Sequence, residues 1–117
     1  MYIVSKTIRV SYAHRLSLPY ESACTQFHGH NGVITVFCCA EELNAEGMVI
    51  DFHPVKDLVK SHFDHTCVND RFPFNPTAEN MARWICDNVP HCFKVRFQES
   101  EGNTATYIKP GYENLSC

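Results

Sequence analysis

The sequence predicts an α+β domain in which a four-stranded antiparallel sheet carries two helices on one face, in the order ββααββ. Three observations carry that expectation. Residues 2–14 and 93–99 alternate apolar and polar with a period of two, the pattern of strands with one covered face. Residues 51–63 and 77–89 place apolar side chains at helical spacing behind a capping residue. No repeat, low-complexity tract or linker interrupts the 117 residues, so a single domain spans residues 1–117.

The first strand sets Tyr2, Val4, Lys6, Ile8, Val10, Tyr12 and His14 on one face, with Ser5, Thr7, Arg9 and Ser11 on the other. Pro19 to Gln26 is polar and turn-forming and reads as loop. Asn31 to Glu41 is rich in β-branched residues and apolar on both parities, as in a strand covered on both faces. Asp51 is expected to N-cap a helix running to about Phe63, with Pro54 tolerated in the first turn. Val55, Leu58, Val59, His62 and Phe63 form its apolar stripe, and Asp64-His65 follows at its end. A second helix starts near Thr77 with Glu79 favourably placed in its first turn. It buries Ala78, Met81, Ala82, Ile85 and Val89 and stops at Pro90, and Trp84 reads as packing. The third strand groups Phe93, Val95, Phe97 and Glu99 on one face. An unpaired carboxylate at the end of an apolar face is costly, so Glu99 either reaches water or meets a partner. Gly102-Asn103 turns the chain into a last strand over Thr104–Ile108, and the tail from Lys109 to Cys117 carries no clear signal. The strands leave Tyr, Val and Phe on the sheet face away from the helices, so this reading predicts a homo-oligomer that covers them.

Composition narrows the class. With 44% apolar and 20% charged residues the chain falls within the range of globular proteins. A net charge of −3 gives no electrostatic reason for nucleic acid or an anionic membrane as partner. No stretch approaches the roughly 18 apolar residues of a membrane span. Seven cysteines without a CxxC pair, and an N-terminal Met-Tyr-Ile-Val-Ser-Lys without a signal peptide's apolar core, lead to an expectation of reduced thiols and a cytoplasmic location. Seven histidines favour a metal.

The chemistry concentrates in Cys24-Thr25-Gln26-Phe27-His28-Gly29-His30. In an extended backbone His28 and His30 project from one face, and Gly29 between them admits close approach. Two imidazoles beside a thiol suit a metal with reactive chemistry next to it. Two loop histidines near a structural cysteine is the plainer alternative.

Strand-end His14, Cys24-x-x-x-His28-Gly29-His30, Met48-Val49-Ile50-Asp51-Phe52, Asp64-His65, Pro76-Thr77-Ala78-Glu79-Asn80 and a late Glu99 occur here in one order. Together they resemble the 6-pyruvoyl-tetrahydropterin synthase superfamily of tunnelling-fold proteins. The nearer likeness is to its bacterial branch, the 6-carboxy-tetrahydropterin synthases of the queuosine pathway. The resemblance covers about Tyr2 to Tyr107. It implies that His14, His28 and His30 bind one Zn2+, leaving a fourth position open for the side-chain hydroxyls of a pterin triphosphate. It implies that Cys24 abstracts a proton, with His65 as the second acid/base group and Asp64 orienting it. Glu99 would anchor the pterin ring and join the proton relay, with Glu101 a competitor two residues on. The implied assembly is a trimeric barrel, two of which stack into a hexamer.

Two features depart from the pattern. The family often has an aromatic after His-Gly-His, where this chain has Asn31-Gly32, and a Thr-Pro-type turn after the Glu, where this chain has Ser100-Glu101-Gly102. The implied reaction converts 7,8-dihydroneopterin triphosphate to 6-carboxy-5,6,7,8-tetrahydropterin, acetaldehyde and triphosphate. The alternatives are the pyruvoyl reaction, which keeps the three-carbon side chain, and a zinc-stabilised binding module in which Cys24 is a fourth, structural ligand. Arg9, Arg15 and Lys6 are candidates for the triphosphate.

Overall fold

The computed structural model describes residues 1–115 and contains two helices and a five-stranded sheet. In chain order the elements are β1 (Tyr2–His14), β2 (His28–Ala40), α1 (Phe52–Phe63), β3 (Thr66–Cys67), α2 (Ala78–Asn88), β4 (Cys92–Ser100) and β5 (Asn103–Ile108). The strands lie in the order β3-β1-β2-β4-β5. Four of them form the expected antiparallel meander. The expectation of four strands needs correction, because β3 adds a fifth strand, parallel to β1, through Tyr12–Thr66 and Ala13–Cys67. Two residues are too few for a period to show. The strand forms because His65 takes a left-handed backbone, φ +54°, and turns the chain back after α1. Its N–H donates to the Ser11 carbonyl at 2.6 Å.

Both helices cover one sheet face, α1 over β1 and α2 over β4 and β5. Between the layers lie Ile8, Val10 and Tyr12, Ile34 and Val36, Val95 and Phe97, with Val55, Val59 and Phe63 of α1 and Met81, Ala82 and Ile85 of α2. Each such side chain contributes about 1.5–3 kcal/mol by leaving water. Asp51 caps α1 as expected, its carboxylate accepting from the His53 N–H at 2.9 Å, and Thr77 caps α2 through the Asn80 N–H at 3.1 Å. Asp51→Ala is expected to lower stability by about 1 kcal/mol, a drop of roughly 4–8 °C in Tm, without changing metal content. Thermal unfolding with a metal assay checks this.

The face away from the helices carries the expected Val and Phe in Val33, Phe37 and Phe93, but most of it is polar. It presents Thr7, Arg9, Ser11, Thr35, Arg96, Gln98, Thr104 and Thr106. Val33 lies among them, opposite Arg9 and Gln98, and a larger apolar group sits at one end, where Phe37, Cys39 and Phe93 pack with Leu115. Phe93 belongs to this group and not to the face of Val95 and Phe97. A register shift sets Cys92 opposite Cys38 and Lys94 opposite Phe37, which moves Phe93 across the sheet. The tail that lacked a signal folds back here: the Lys109 N–H donates to the Phe93 carbonyl, and Tyr112 stacks on Phe93. The six described cysteines are all free thiols, and Cys117 lies outside the described residues. Among the described residues no helix is long and apolar enough to cross a membrane.

Candidate metal centre

The hairpin register builds the site. It pairs His14 with His28 and Tyr12 with His30, so the alternation of β1 and β2 turns all three imidazoles toward the helical layer at one end of the sheet. Their ring centroids lie 4.5, 4.8 and 5.1 Å apart. With Glu99 of β4 they form a group whose potential ligand atoms all lie within 4.8 Å of one another. Four ligands at zinc distance sit roughly 3.3 Å apart, so small side-chain rotations would close the group on one ion.

The tautomers suit that role. His14 is fully buried and its Nδ1–H donates to the Pro76 carbonyl at 2.8 Å, leaving the Nε2 lone pair inward. The Nδ1–H of His28 donates likewise to the Gln26 carbonyl at 2.8 Å. A ligating histidine usually holds its other ring nitrogen in this way. Buried Nε2 atoms of His14 and His30 have no hydrogen-bond partner. His30 Nε2 lies 3.0 Å from Glu99 Oε1 but off hydrogen-bond geometry. Two orphaned buried nitrogens are costly, and a cation would satisfy both at once. Burial pushes the His14 and His30 pKa values below the usual imidazole range, against the opposing pull of the Pro76 carbonyl at His14 and of Glu99 at both. Neutral rings keep lone pairs available and do not repel a metal. The donor set of three imidazoles and a carboxylate is one that zinc accepts.

The remaining site residues are placed unequally. Glu99, not the exposed Glu101, meets the histidines, and it also walls a cavity of about 230 Å³ with Ala78, Glu79, Asn103, Thr104 and Ala105. Cys24 lies half-buried in a single 3-10 turn, Ala23–Thr25, capped by Ser22 Oγ, and does not belong to the ligand group. Glu99, and not Cys24, is the fourth side chain within reach of the three imidazoles. Asp64 and His65 also stand outside the group. Asp64 closes α1 and accepts from the Ser11 N–H at 2.8 Å, with its other oxygen 3.6 Å from His65 Nε2. His65 is 84% exposed and lines a cavity of about 450 Å³ beside Ser11, Ala13, Gly29 and Asn31 of the outer sheet face, with Tyr12 and His30 also in its wall.

Tyr12 was not singled out from the sequence, where its parity marks it as core. Its ring meets His14 edge-on at 5.2 Å and His30 at 5.5 Å, and its buried hydroxyl has no partner. Burial and the Glu99 charge push its phenol pKa up, so the hydroxyl remains a donor. The ring also accounts for Gly32: a Cβ there would come within 3.1 Å of Tyr12 Cε1. An aromatic reaches this site from β1, and position 32 on β2 stays bare to admit it.

Known proteins carry the same plan. Residues 3–110 match the family model described as 6-pyruvoyl tetrahydropterin synthase. A Bacillus subtilis protein named 6-carboxy-5,6,7,8-tetrahydropterin synthase is 29% identical over 121 residues, covering 89% of this chain and 83% of the relative. A Rickettsia bellii protein of the same name is 29% identical over 97% of this chain and 94% of its own. Among solved structures, the Caenorhabditis elegans 6-pyruvoyl tetrahydropterin synthase superposes with a TM-score of 0.74 at 26% identity, covering 92% of this chain and 94% of that one. The ββααββ frame is therefore the tunnelling fold. With the family pattern matched over nearly the whole length and its histidines gathered at one point, this chain is a member of the 6-pyruvoyl tetrahydropterin synthase family.

Proposed function

We propose that the protein is a zinc-dependent lyase. Its reaction would convert 7,8-dihydroneopterin triphosphate and one water to 6-carboxy-5,6,7,8-tetrahydropterin, acetaldehyde and triphosphate, a step toward queuosine and related 7-deazapurines. The observation that carries this reading is the convergence of His14, His28, His30 and Glu99, with two buried imidazole nitrogens that have no hydrogen-bond partner. The three histidines hold the ion, which when bound supplies Lewis-acid polarisation of the substrate's side-chain oxygens. Cys24 accepts a proton from the side chain, acting through its thiolate. Glu99 accepts hydrogen bonds from the pterin ring's N–H groups and passes protons at the same carboxylate. His65, oriented by Asp64, is the second acid/base group.

The cavity beside His65 opens at the edge of the sheet, between outer-face residues and the backbone stretch that carries Tyr12 and His30, and the exposed His65 ring stands outside the metal group. In the proposed assembly an adjacent copy therefore supplies the Asp64–His65 pair. Two features support a barrel of subunits. The outer face is mostly polar, as the lining of a wet interior would be. Strand β5 is an edge of the sheet, and on the other edge the two-residue β3 pairs only with Tyr12 and Ala13, leaving most of β1 open to pairing with another chain. Stacking of two trimers would give the hexamer.

The likeness to the Caenorhabditis elegans enzyme supports a second reading, elimination of triphosphate with the side chain kept. Both enzymatic readings predict that the zinc-loaded protein releases inorganic triphosphate from 7,8-dihydroneopterin triphosphate. A chelator should abolish the release and added zinc restore it. Absence of release from the zinc-loaded protein would reject both and leave a zinc-stabilised binding module.

A further inference from the structure

Beyond His14 the two edges of the chain are held by different means. In a strand the N–H and C=O of one residue point to one side and those of the next to the other. On the β3 side, Ser11 pairs with Asp64 and His65, and Ala13 with Cys67. Arg15 and Ser17 then bond to side chains instead of backbone among the described residues. Arg15 N–H donates to Asn69 Oδ1 and its carbonyl accepts from Asn69 Nδ2, both at 2.9 Å. Ser17 N–H donates to Asn75 Oδ1 at 2.8 Å and its carbonyl accepts from Asn75 Nδ2 at 3.1 Å. Each carboxamide imitates a peptide group and continues the ladder that β3 begins. Asn75 is itself fixed, since its carbonyl accepts from Asn80 Nδ2 of α2 and from the Thr77 N–H.

With residues 15 and 17 turned toward the asparagines, Leu16 must face the other way. Its N–H donates to the Cys24 carbonyl at 2.7 Å. The segment that carries Asn69 and Asn75 also supplies the Pro76 carbonyl that orients His14. One stretch of chain thus sets both a metal-site imidazole and the turn that holds the thiol.

We infer that Asn69 and Asn75 are positioning residues, a side-chain clamp that fixes Cys24 relative to His14. This rests on the reading of Cys24 as the proton-accepting group. In Asn75→Ala the clamp on Ser17 is lost. Hydrogen exchange at the Leu16 amide and alkylation of Cys24 by iodoacetamide, resolved by peptide mass spectrometry, should each accelerate about 10-fold. Exchange at Val36 in the centre of the sheet should not change. The kcat should fall about 10–100-fold, with KM and zinc content unaltered, because a misplaced base weakens chemistry and not binding. Asn75→Asp keeps the acceptor for the Ser17 N–H and should fall between the two. Unchanged Leu16 exchange and Cys24 alkylation would overturn the clamp, and a loosened loop with full kcat would overturn its positioning role. In a protein that turned over no substrate the exchange and alkylation measurements would still decide the clamp, so the two readings fail separately.

Discussion

Cys24→Ala protein is expected to bind zinc as the parent does, to melt within a few degrees of it, and to lose turnover by about 10²–10⁴-fold, the range for removal of a general base. The argument is geometric. Cys24 lies outside the group formed by His14, His28, His30 and Glu99, so removing its thiol leaves the ligand set complete. Its side chain is only half-buried, and its turn is held by backbone contacts and by Ser22, all of which alanine retains. Were the cysteine a structural ligand, the same substitution would lower zinc content and stability together. Metal analysis, a melting curve and an activity assay on one preparation separate the outcomes.

His14→Ala should do the reverse damage. The ring is fully buried between the layers, and its removal opens a cavity and strips the Pro76 carbonyl of its donor. Together these cost about 2–4 kcal/mol in the zinc-free protein. With one of three imidazoles gone, zinc affinity should drop by more than the 10–100-fold typical of an outer-shell change. The melting difference from the parent should therefore widen when zinc is added, since only the parent gains from binding. Thermal unfolding with and without zinc reads this directly.

How far the sequence alone reaches depends on the distance over which each feature is encoded. Asp51 and Thr77 act on N–H groups two and three residues away, and both caps appear where expected. The alternation of β1 carried His14 to the correct face because side-chain parity is local and β1 is unbroken. Parity failed at Phe93, where a shift against β2 exchanged the faces, since a bulge depends on the partner strand. The two-residue β3 was invisible for want of length. The convergence of His14 with His28-x-His30 was legible only through the family resemblance, because 13 residues of connection between β1 and β2 separate them. Nothing local marks Pro76 as the partner of His14, or Asn69 and Asn75 as substitutes for a strand. Those contacts span 54–62 residues and exist only once α1 has brought the following segment back against β1. The outer face met expectation only in part, with Val33, Phe37 and Phe93 on it, and the tail residues Tyr112 and Leu115 that pack on Phe93 carry no pattern of their own.

The most direct test of the proposed reaction is product analysis after the zinc-loaded protein is incubated with 7,8-dihydroneopterin triphosphate. Cleavage of the three-carbon side chain predicts acetaldehyde in equal amount to the triphosphate released. Triphosphate without acetaldehyde would contradict the carboxy-forming lyase and leave the pyruvoyl reaction in its place.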